Sequence, residues 1–80
     1  MFESIIQGEK PSSLFRRLME ADPSISNIRL GEMVSDEFAD LSSEAEQLIW
    51  HWNGPGKAQG LSDDNLDTLL LDLFRQAHYI

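Results

Sequence analysis

The apolar residues of this chain recur three and four apart in each of its longer segments, and nowhere do they alternate with polar ones over the length of a strand. Spacing of that kind puts apolar side chains on one face of an α-helix, whereas a half-buried strand needs a period of two. The chain is therefore expected to be all-α: a small bundle of three to four main helices plus a short N-terminal helical turn. Short links favour neighbours in sequence as neighbours in space.

The segment from Ser62 onward carries the clearest pattern. Leu66, Leu69, Leu70, Leu73, Phe74 and Ala77 make a broad apolar face, Ser62 stands at the N-cap position, and Asp63 and Asp64 fall in the first turn. Leu71 lies off that face. An earlier helix begins at Pro11, which suits a first helical position. It buries Leu14, Phe15, Leu18 and Met19 and stops at Asp22-Pro23. A second runs within Ser24–Asp40, capped by Ser26, with Leu30, Met33, Val34 and Phe38 as its buried stripe. Gly31 weakens that helix by ~1 kcal/mol against Ala unless it permits a close helix contact.

Between these and the last helix lies Leu41 to Gly60, which holds both tryptophans. Ser43 and Glu46 have capping-box spacing. Ala45, Leu48, Ile49 and Trp52 follow at helical intervals, so Trp52 is expected in the core. Trp50 falls roughly 140° round from Ala45, near Glu46 and off the buried stripe. Asn53-Gly54-Pro55-Gly56 ends the helix, and Asn53–Gly60 reads as a Gly-rich linker inside one 1–80 domain. At the N-terminus, Phe2, Ile5 and Ile6 give a short apolar edge that Gly8 closes.

Size and charge narrow the function classes. Eighty residues bury only ~60% of the unfolded surface, leaving little room for an enzyme pocket beside the core. There is no cysteine, hence no disulfide framework, thiolate metal site or cysteine nucleophile. That usage and a start lacking a signal-peptide pattern lead to a cytoplasmic expectation. No apolar run approaches a membrane span. A net charge of −8 disfavours nucleic acid and anionic lipid, and favours a basic protein partner.

Motif by motif, chemistry is not expected. Asp63-Asp64-Asn65-Leu66-Asp67 is oxygen-rich but lacks the Gly and Glu of a calcium loop, since those positions are Thr68 and Phe74. His51 and His78 have no ligand spacing around them. Gly-x-Ser-x-Gly is absent. An acyl carrier would show Asp-Ser-Leu, whereas Asp40-Leu41-Ser42 has the wrong order. No cofactor, metal or catalytic residue is expected.

A helix-turn-helix outline fits the middle helices, yet the would-be reading helix starts Ser43-Glu44-Ala45-Glu46, which phosphate repels. The expected function is a non-enzymatic protein-interaction module, a small regulator or inhibitor binding a basic protein surface. Its face would comprise Glu32, Asp36 and Asp40 on one strip of a helix, with Glu46 and Trp50 on the next. Leu30 to Gly56 contains no Lys or Arg to neutralise those acids locally. A degenerate helix-turn-helix protein and a homodimer pairing Trp50 and Leu71 across a two-fold are the alternatives.

Overall fold

The computed structural model describes residues 1–80 throughout. Five helices form in order: α1 (Glu3–Ile6), α2 (Pro11–Ala21), α3 (Asn27–Glu37), α4 (Glu44–Trp50) and α5 (Asp63–Gln76). There is no strand, and the all-α expectation holds. α3 packs chiefly on α4, α5 packs on α2 and α4, and α1 packs on α2. No helix is long and apolar enough to cross a membrane.

Local chemistry sets most boundaries. Pro11 occupies the first turn of α2. Ser26 and Ser62 are N-caps whose hydroxyls each accept a backbone N–H three residues on, from Arg29 and from Asn65, at 3.1 Å. α1 and α5 end alike, in Schellman motifs. At α1, Glu9 N–H reaches Ser4 C=O and Gly8 N–H reaches Ile5 C=O. At α5, Tyr79 N–H reaches Phe74 C=O and His78 N–H reaches Arg75 C=O, with His78 in the left-handed region at φ 66°. The C-terminal turn thereby folds Tyr79 back onto Phe38 and Phe74, with ring centroids 4.9 and 5.9 Å away.

Three expectations need correction. The Ser43–Glu46 capping box does not form: Ser43 is already helical in its backbone and makes no cap bond, and Ser42 accepts from Glu44 N–H instead. On α5, Leu69 is 45% exposed, while Leu71 is half-buried against the core. Finally, α4 stops at Trp50, so Trp52 is not the next position on that helix's stripe. It is nevertheless fully buried, because the chain turns it inward from a loop, edge-on to Phe15 at 5.8 Å.

That loop is the stretch read as a linker, and it is closed by bonds at its ends. Leu61 N–H donates to His51 C=O at 2.7 Å and Asn53 N–H donates to Leu61 C=O at 2.8 Å, making a single parallel bridge between Trp52 and Leu61. Two glycines permit the closure. A Cβ at Gly54 would stand 2.8 Å from the Trp52 ring, and one at Gly60 would stand 2.3 Å from His51 C=O, where φ is also +138°. Arg16 lies over the Trp52 ring at 5.1 Å and donates to Asn53 C=O at 3.1 Å. The Trp52 indole N–H donates to Asp63 at 2.9 Å, and Asp63 pairs with Arg16 through two bonds. The Arg16 guanidinium, helped by that indole N–H, holds the Asp63 carboxyl below its ordinary range against a partial burial that acts the other way.

Candidate protein-interaction surface

The surface is built where α3 crosses α4. Gly31 is buried on α3, and a Cβ there would meet Trp50 Nε1 at 3.1 Å and Glu46 Cα at 3.5 Å. The glycine therefore admits the close helix contact, and the indole of Trp50 lies across it. Glu46 and Trp50, one turn apart, share the side of α4 that meets α3. Glu46 is half-buried and Trp50 is 38% exposed.

Beside Trp50 runs an open groove of about 530 Å3, lined mainly by Met19, Ile25, Ile28, Trp50, Pro55 and Lys57. Ile28 projects from the first turn of α3 and is 60% exposed. Lys57 sits at the other border and donates from Nζ to Trp50 C=O at 2.6 Å, closing the C-terminal end of α4. Asn27 does the same for two further carbonyls, donating from Nδ2 to Ile49 and Trp52 at 3.0 and 2.9 Å. These polar side chains are thus engaged within the chain, and the open surface of the groove is mainly apolar.

The acidic strip does not survive as one line. Glu32 and Asp36 are exposed on α3, but α3 ends at Glu37, and Asp40 lies in the turn beyond it. The backbone N–H of Asp40 donates to the Tyr79 hydroxyl at 3.2 Å, tying that turn to the C-terminal cluster. Glu32, one turn on from Ile28, stands next to the groove. Asp36 belongs with Glu37, Met33 and the N-terminal residues, around a separate depression. Nor are the acids all without a local cation, because Arg29 Nη1 approaches Glu32 at 3.5 Å. The structure brings Glu46, Trp50 and Glu32 to one region and leaves Asp36 and Asp40 outside it.

Sequence reasoning missed Ile25 and Ile28 as parts of an open surface; Met19, expected in the core, is buried at the floor of the groove. One signal was present: Ile28 is an apolar residue out of phase with the Leu30, Val34 stripe of its own helix.

The remaining acidic cluster is occupied by structural bonds. Asp67, almost wholly buried on α5, accepts from Ser12 N–H and Ser12 Oγ, both at 2.8 Å. It thereby caps the N-terminus of α2 from another helix, where Lys10 supplies no side-chain cap. Asp63 is held by Arg16 and Trp52. No three His, Cys, Asp or Glu side chains converge with metal-binding geometry. The chain matches no protein-family model, no curated protein and no solved structure.

Proposed function

We infer that this chain is a non-enzymatic interaction module that binds a protein partner through the surface around Trp50, and that the partner presents basic residues there. The exposure of Trp50 beside Ile28 carries the reading. Of the two tryptophans only Trp52 is enclosed. Trp50 instead offers a rigid aromatic face next to an exposed isoleucine, the composition of a binding anchor. Glu32 and Glu46 border it, and the chain carries a net charge of −8, so an approaching cationic surface is attracted.

The test compares proteins retained from the native host by the wild type with those retained by Trp50→Ala and by a Glu32→Lys/Glu46→Lys variant. A genuine partner is lost from both. With the purified partner, Trp50→Ala should mainly speed dissociation, and the charge variant should slow association and flatten its salt dependence. Partners retained equally by all three proteins would mean that this surface is not the binding face.

A further inference from the structure

The groove beside Trp50 also limits the shape of what can fill it. We propose that its occupant is one face of a basic amphipathic helix, with apolar side chains in the groove and Lys or Arg along its flanks. This rests on the interaction reading above and deepens it.

An extended segment entering an apolar groove must find partners for its own N–H and C=O groups, because burying them unpaired is unfavourable. Such segments normally add to a sheet edge. This fold has none: its one β-type pairing joins Trp52 to Leu61 inside the chain. The polar side chains of the lining are already bonded within the chain, and the two free backbone N–H groups at the start of α3, of Asn27 and Ile28, cannot pair the alternating donors and acceptors of a strand. Asn27 Nδ2 is bonded to two carbonyls, Lys57 Nζ to Trp50 C=O, and Ser26 Oγ to Arg29 N–H. A helix brings its backbone bonds with it and needs only apolar contact, which Met19, Ile25, Ile28 and Trp50 supply.

Charge selects the occupant as well. Glu20 and Asp22 are exposed beside Met19 and Pro23 at one border. Glu32 and Glu46 stand one helical turn from Ile28 and Trp50. Against these four acids are Lys57, bonded to the Trp50 carbonyl, and Arg29, beside Glu32. Lys57 is the one charged residue of the lining itself, and the four acids around it outnumber the two cations, so a helix flanked by cations fits the rim and one flanked by acids is repelled.

The experiment mixes the full chain with three synthetic peptides of about 15 residues. The first has Leu at helical spacing and Lys elsewhere. A second keeps the Leu positions and replaces Lys by Glu. The third has the composition of the first, with Leu at alternate positions. Amide and indole N–H shifts locate binding, and circular dichroism of the mixture reports helix formed by the peptide. The first peptide should shift Ile25, Ile28 and the Trp50 indole, gain helix on binding, and bind roughly tenfold or more tightly than either of the others. Ile28→Ser, at an exposed position, should weaken it while leaving the melting temperature unchanged. Equal or tighter binding of the acidic or alternating peptide overturns the proposal, as does binding of the first peptide elsewhere or not at all. A host partner that depends on Trp50 but presents an extended segment would leave the interaction reading standing and remove this one.

Discussion

His78 shows how a single residue is held against its own preference. It is the only non-glycine residue with positive φ, at the position where the Schellman motif of α5 most often places glycine. An L-residue in that region is disfavoured by about 1–2 kcal/mol. The turn is maintained because Tyr79, the next residue, buries its ring on Phe38 and Phe74. His78→Gly removes the backbone penalty but adds unfolded-chain entropy of about 0.4–1 kcal/mol. The net effect should be a gain of roughly 0.5–1 kcal/mol, measured by chemical denaturation. Loss of stability would show that the histidine side chain, and not the tyrosine, holds the turn.

Between elements, the pairing of α2 with α5 depends on a cap borrowed across 55 positions of sequence. Asp67 accepts both Ser12 bonds from within the core, so truncating it leaves a buried N–H and hydroxyl without partners. Asp67→Ala should destabilise by about 1–3 kcal/mol, lowering the urea midpoint with an unchanged slope. Asp67→Asn, which keeps one acceptor, should lose less. A combined Ser12→Ala/Asp67→Ala chain should recover part of the loss, since it no longer buries an orphaned hydroxyl. This bond could not be read from sequence, where Asp63-Asp64-Asn65-Leu66-Asp67 resembled an ordinary acidic helix start. Propensity and capping act locally, and they located the five helical segments, the Ser26 and Ser62 caps and the Gly8 stop. Tertiary contact decided the rest. α4 ended two residues before the periodicity of its apolar positions did, because the loop bonds of Leu61 and Asn53 draw Trp52 out of the helix. Asp40 left the acidic strip for the same kind of reason: α3 stops at Glu37, so a count of four residues no longer returns to the same face. Glu46 and Trp50, both inside α4, kept their predicted relation.

Over the whole chain, fourteen acidic and six basic residues oppose each other in ways that depend on pH. Near neutrality the surplus of eight negative charges repels itself, and lowering pH toward the isoelectric point, about 4.4, relieves that repulsion. Below it a second effect takes over. The Arg17 guanidinium holds the Glu9 carboxyl down to about 2, from an ordinary 4.5. Arg16 lowers Asp63, and bonds from the hydroxyl and backbone N–H of Ser24 lower Asp22. A carboxyl whose folded pKa is depressed contributes stability that is fully present above its unfolded pKa and is lost as pH falls through the folded value. The window for Glu9 therefore runs from about 4.5 down to about 2. Both pairs are partly open to solvent, so each contributes modestly, and Asp63 adds the bond that holds the Trp52 indole. The melting temperature is expected to stay level or rise slightly from pH 7 to about 5, then fall steadily toward pH 2. Glu9→Gln/Asp63→Asn should melt lower than the wild type at pH 7 and show a flatter acid limb, so that the two curves draw together toward pH 2 as the wild-type carboxyls take up protons. Parallel curves across that range would mean that protonating these carboxyls removes nothing from the fold, and that packing and backbone bonds hold Trp52 without the Asp63 charge.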